Sequence, residues 1–109
     1  MFLRREDYDT ALVHLRHAHD LDPAGVPASY NLAAALVKAD HAGEAVALLR
    51  DVLSRGQDEA RLHALLGATL FEMGRREESR VALAEALRRE PDQPLARQYL
   101  ERLGSGPSP

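Results

Sequence analysis

The chain has 109 residues, 45% of them hydrophobic and 28% charged, and it contains no cysteine. That size fits one domain with a modest core and leaves little room for an elaborate enzyme fold, and the composition excludes a disordered tail, disulfides, thiolate metal sites and a Cys nucleophile. Interspersed basic and acidic side chains, 14 against 17, give a net charge of −3, a solvated surface with no general attraction for nucleic acid or anionic membrane.

In chain order, nearly every segment between breakers has helical period. A short piece at about Phe2 to Arg5 leads into a helix from about Asp7 to Leu21, stopped by Pro23 and Gly25. A pair follows at about Ala28 to Ala39 and Ala42 to Ser54, divided at Asp40 and closed at Gly56. Ser29, Leu32, Ala33 and Leu36 share one face of its first member. A second pair covers about Glu59 to Met73 and Arg76 to Arg89, with Gly74 in the turn and His63, Leu66, Gly67 and Leu70 on the matching face. After Pro91 and Pro94 a last helix runs to about Leu103, and "GSGPSP" has the composition of a flexible tail or linker. No segment alternates as a strand would, and Ala and Leu dominate, as helix propensity favours. The expected class is all-α, with about seven helical segments.

One helix is written three times. Ala11, Leu15, Ala18 and Pro23 return as Ser79, Leu83, Ala86 and Pro91, 68 residues on, and Ala45, Leu49, Val52 and Gln57 hold the same slots halfway between. Within each pair a small residue (Ala33, Gly67) faces a small residue of the partner helix (Ala45, Ser79). That lets two antiparallel backbones approach closely while Leu32 with Leu49, and Leu66 with Leu83, fill the seam. One pair cannot bury its second apolar face, so pairs must stack, which is the logic of an α-solenoid.

These residues resemble the tetratricopeptide repeat (TPR) family, with its helix–turn–helix units of about 34 residues. The third unit carries Leu66-Gly67, Leu70, Gly74, Ser79, Leu83, Ala86 and Pro91. The first carries Tyr8, Ala11, Leu15 and Ala18. In the second, Leu32-Ala33, Leu36, Ala45, Leu49 and Val52 fit, while Asp40 replaces the turn Gly and Gln57 the closing Pro. Ser29 and His63 stand in the family's Trp slots. The resemblance implies a helical repeat domain over 1–103, with units of about 1–25, 26–59 and 60–93, a solvating cap at 94–103 and a flexible tail at 104–109. Phe2 sits 34 residues before Leu36, so the first unit opens in the middle of its own leading helix. Only Met1 to Arg5 of that helix are present here, whether the chain is a trimmed piece or natively truncated. The face bearing Ala11, Leu15 and Ala18, beside Phe2 and Leu3, is therefore expected to lie partly open and to be covered by upstream residues, by another domain or by a second copy, a homodimer through this end being one of these expectations.

Other constellations have plainer readings. His14 and His17, three apart on one helix with His19 beside them, make too small a ligand set for a metal. His63 reads as a packed seam residue. Glu77-Glu78 and Asp58-Glu59 are placed in first turns of helices, where they complement the macrodipole. Arg75-Arg76 and Arg88-Arg89 lack interleaved aromatics and are flanked by acids, so they read as solvated faces. There is no Ser-His-Asp arrangement and no phosphate-cradling Gly loop, and neither catalysis nor a cofactor is expected.

The resemblance places the working surface on the leading helices, whose inner side contacts a peptide in this family. Carried over, that groove comprises Arg4, Tyr30, Asn31, Ala34, Lys38, Arg61, Leu65, Ala68, Glu72, Gln98, Tyr99 and Arg102, with Val37 and Phe71 at its base. Arg4, Lys38, Arg61 and Arg102 outnumber Glu72, so an acidic or carboxylate-ended segment is the expected partner, rather than nucleic acid or membrane. The subclass that clamps a chaperone's terminal carboxylate is matched only at Asn31 and Arg61, and Leu65 stands where a second base is needed. The expected function is non-catalytic binding of a protein or peptide. The alternatives are an accessory or regulatory segment of a larger enzyme and a self-assembly module. No apolar run approaches the roughly 20 residues of a membrane span and "MFLRRED" is no signal peptide, so the expected address is cytoplasmic. Lys38 is the single lysine among 14 basic residues, which reads as a GC-rich bacterial genome.

Overall fold

The computed structural model describes residues 5–22 and 25–104. Six α-helices make up the described residues, with no strand among them: α1 (Arg5–Leu21), α2 (Val26–Lys38), α3 (Ala42–Ser54), α4 (Ala60–Glu72), α5 (Arg76–Arg89) and α6 (Pro94–Gly104). Residues 2–4 of the expected leading piece and residues 105–109 of the expected tail lie outside the described set, Arg5 opens α1, and Gly104 is the last residue of α6. Two compact units gather these helices, Met1–Gln57 with α1 to α3 and Asp58–Pro109 with α4 to α6.

Turn chemistry sets the helix ends. Gly74, φ +81°, follows α4, and the Arg75 N–H donates to the Leu70 carbonyl at 2.9 Å while Gly74 N–H donates to Phe71 at 3.0 Å. This is the left-handed closure that leaves a helix free to reverse within three residues. The same bonds close α2, where His41 N–H reaches Leu36 O at 2.7 Å and Asp40 N–H reaches Val37 O at 3.1 Å. Asp40 adopts φ +68° there, so an aspartate occupies the conformation that glycine fills one repeat later. α2 starts at Val26, two residues ahead of the expected Ala28. Pro27 sits in its first turn, where the ring supplies a helical φ and no N–H is missed. α6 is capped by Gln93, whose Oε1 accepts from the Ala96 N–H at 2.7 Å.

In the first unit α2 packs against both α1 and α3; in the second, α4 pairs with α5 and α6 lies against both. Ala45, Leu49 and Val52 of α3 are fully buried, as are Ser79, Leu83 and Ala86 of α5. Six positions repeated at one spacing thus form the two seams, and each buried leucine contributes about 2 kcal/mol. A close approach of α4 and α5 lies at Gly67. A methyl group built there would fall 2.5 Å from Leu83 Cγ and 3.1 Å from the Leu83 backbone nitrogen. Leu83, rather than Ser79 alone, is therefore the group that needs glycine at 67. Ser79 meets the same residue differently, its hydroxyl donating to Gly67 O at 2.7 Å.

Candidate functional site

Each unit presents the face of its leading helix separately. In the first, Asn31 and Lys38 of α2 are exposed, and Tyr30, Ala34 and Val37 are half-buried. These residues fall at helical spacing on adjoining rows of one helix. Lys38 closes the last turn of α2, where its charge complements the carbonyl end of the helix. Arg4 lies outside the described residues.

The second unit carries the more elaborate face. Leu65 and Ala68 are buried, with 9% and 6% exposure, so they floor this face. An unbroken run of α4, Ala64 to Leu70, is buried, as befits a helix enclosed on several sides. Phe71 of α4 and Tyr99 of α6 stack edge to face, 5.3 Å between centroids at 77°. The Arg102 guanidinium lies 4.6 Å from the Phe71 ring centre and 4.9 Å from that of Tyr99, and Arg76 approaches Phe71 at 5.7 Å. Glu72 joins the cluster, accepting from the Tyr99 hydroxyl at 3.1 Å and from Arg102 at 3.4 Å. Burial of the ring, followed by the bond to the Glu72 carboxylate, raises the Tyr99 phenol above its ordinary value. Gln98 of α6 is exposed next to Tyr99 in sequence, and Arg61 is exposed in the first turn of α4, at the other end of that helix from Phe71.

Pairing alters the charge reading. Arg61 Nε sits 3.3 Å from Glu59 and Arg102 is held by Glu72, so two of the cations counted on this face arrive with their own carboxylates. Glu59 was expected in the first turn of α4. It instead takes the N-cap position without a capping bond from its side chain, since that carboxylate turns to Arg61.

A second polar cluster lies at the entry of α4. Asp58 accepts from Arg89 at 2.8 Å and bonds His63 Nε2 at 2.8 Å, and Arg89 also reaches Glu85 at 2.7 Å. The bonds from Arg89 and then His63 bring the Asp58 carboxyl down to about 2, and Arg89 likewise lowers Glu85. His63, in an aromatic slot of the repeat, is thus both largely buried and bonded. The Arg88-Arg89 pair is absorbed by Glu85 and Asp58. Neither Phe71 with Tyr99 nor Asp58 with Arg89 could be paired from spacing alone, because 28 and 31 residues separate the partners. The repeat register was the available signal, since it puts residues one unit apart on neighbouring helices.

A model of the tetratricopeptide repeat matches residues 2–69. Among solved structures, a MamA RS-1 double mutant aligns at 26% identity over 90% of this chain, TM-score 0.76, and MamA 41-end from Desulfovibrio magneticus RS-1 at 25% over 91%, also 0.76. A further crystal structure of MamA, 16% identical over 94%, shares the fold with a TM-score of 0.78. The chain spans 55%, 56% and 64% of those three chains, respectively. No curated protein matches it significantly.

Proposed function

Because this chain belongs to the tetratricopeptide repeat family, whose fold is generally a non-catalytic scaffold for protein interaction, we propose that it binds a protein or peptide segment along the inner faces of its leading helices. The observation that carries the reading is the Phe71–Tyr99–Arg102–Glu72 cluster of the second unit. It offers aromatic surface and a fixed set of hydrogen-bonding groups on rigid helices, with little ordering left to be done when a ligand arrives. Asn31 on α2 of the first unit, and Arg61 in the first turn of α4 and Gln98 on α6 of the second, are exposed polar groups that would hydrogen-bond a bound segment. An acidic or carboxylate-ended segment would have to draw Arg61 and Arg102 away from Glu59 and Glu72. The reading therefore favours a segment with apolar anchors and backbone hydrogen bonding over a highly acidic one.

Site-specific photo-crosslinkers at Asn31, Arg61 and Gln98, compared with one at the exposed Val81 of α5, test the assignment in native lysate. Capture of a common protein from the first three positions and not from Val81 is the expected result. Capture from Val81 alone would move the binding surface to the trailing helices and end this proposal.

A further inference from the structure

A cation already sits in the aromatic cluster of the second unit, and it is the chain's own. The Arg102 guanidinium lies over both rings, 4.6 Å from the centre of Phe71 and 4.9 Å from that of Tyr99, with the rings set at 77°. Its Nη1 is 3.4 Å from Glu72 Oε1. Two aromatic rings and a carboxylate are the elements that select a cationic guest. The hold on Arg102 is thin. The side chains of Arg102 and Glu72 are 49% and 51% exposed, and an ion pair in such a setting contributes little. A well-formed guanidinium–carboxylate fork places N–H donors about 2.7–2.9 Å from both oxygens. Here Arg102 reaches one oxygen at longer range, the Tyr99 hydroxyl donates to that same Oε1, and none of the described residues donates to Oε2.

Resting on the peptide-binding reading of this face, we propose that the cluster takes an arginine side chain of the partner segment, and that Arg102 is a stand-in which swings out to admit it. Arginine fits better than lysine, because its planar fork stacks on a ring and bonds both oxygens of a carboxylate, whereas an ammonium is a point charge. Exchange of one guanidinium for another leaves the charge of the cluster unchanged. Arg76, 5.7 Å from the Phe71 ring and bonded to Leu103 O, therefore opposes the guest no more than it opposes Arg102. An anionic guest meets the opposite balance, since Glu72 already neutralises Arg102 and a second carboxylate would face Glu72. What the guest must overcome is the high local concentration of a tethered side chain. It does so through the unused oxygen of Glu72 and through backbone contacts along the rest of the face, while Arg102 passes to water from a position already half exposed. The partner is thus a segment with a basic anchor, the reverse of the acidic one expected from a count of charges.

The test uses the full chain and two small probes, N-acetyl-arginine amide and its uncharged isostere N-acetyl-citrulline amide, followed through the ring-proton NMR signals of Phe71 and Tyr99. With two Phe and three Tyr in the chain, those signals are assignable by substitution. In Arg102→Ala, and equally in Arg102→Gln, the arginine probe shifts both rings saturably with a Kd on the order of 10 mM. In the parent chain it binds at least about tenfold more weakly, because Arg102 competes. Adding Glu72→Gln to Arg102→Ala weakens the probe at least about fivefold, and Arg97→Ala, at an exposed arginine of the same helix, leaves the parent's response unchanged. Circular dichroism shows both Arg102 variants as helical as the parent; unfolding of both would make Arg102 structural and overturn the proposal. So would failure of the arginine probe to saturate in either variant, equal binding by the parent, or equal binding of the citrulline probe. Saturable shifts of the parent's rings by acetate would mark an anion site instead. None of these outcomes bears on protein capture at Asn31, Arg61 and Gln98, by which the reading of the whole face stands or falls.

Discussion

Ser29 and Ser79 are both fully buried, yet only one hydroxyl is bonded. Ser79 donates to Gly67 O at 2.7 Å, whereas Ser29 Oγ has no hydrogen-bond partner. An unsatisfied buried hydroxyl costs more than the net gain of a made bond. Ser29→Ala is therefore expected to raise unfolding stability by about 1 kcal/mol and Ser79→Ala to lower it by about the same, which paired urea titrations would separate by the sign of the change. Asp40 and Gly74 form a second contrast. Both hold left-handed backbone at φ +68° and +81°, where a side chain costs about 1 kcal/mol and aspartate somewhat less. Asp40→Gly should be neutral to stabilising by up to about 1 kcal/mol, and Gly74→Ala destabilising by about 1 kcal/mol or more. Equal effects of the two would mean that the turns do not share one geometry.

Among the helices, α4 bears the tightest constraint. Its Gly67 leaves no space for a β-carbon against Leu83, so α4 and α5 meet at backbone distance only while residue 67 is glycine. Gly67→Leu is expected to cost at least about 1–3 kcal/mol through overpacking, more than an exposed substitution such as Asn31→Ala, and Gly67→Ala already forces a shift of Leu83. A thermal melt in which Gly67→Leu loses no more than Asn31→Ala would contradict the paired seam. The capping of α6 is a milder feature of the same scale. Gln93→Ala removes the acceptor for Ala96 N–H, and about 1 kcal/mol of stability should go with it.

For the molecule as a whole, pH is the simplest probe of the network at the start of the second unit. Asp58 has its folded value lowered from 3.8 to about 2, by bonds to Arg89 and then His63. A depressed carboxylate stabilises the fold above its unfolded value and ceases to do so as pH falls through its folded one. The advantage in melting temperature of the parent chain over Asp58→Asn should accordingly be constant above about pH 5, shrink from about pH 4 downward, be small near pH 2 and vanish below it. Because the group is exposed, added salt should diminish it too. An advantage unchanged down to pH 2 would mean that Arg89 and His63 do not hold Asp58. Legibility divides along the same line. The sequence by itself determined the helices, their turns at Asp40 and Gly74, the small residues at the seams and the repeat register, because periodicity and helix-end geometry are properties of near neighbours along the chain. Only the tertiary structure decided that Leu65 and Ala68 are floor rather than wall, that Arg61 and Arg102 come paired, and that Phe71, Tyr99 and Arg102 stack. Such pairings depend on side-chain rotamers and on which flanking helix arrives at a given surface, and no local pattern of residues encodes either.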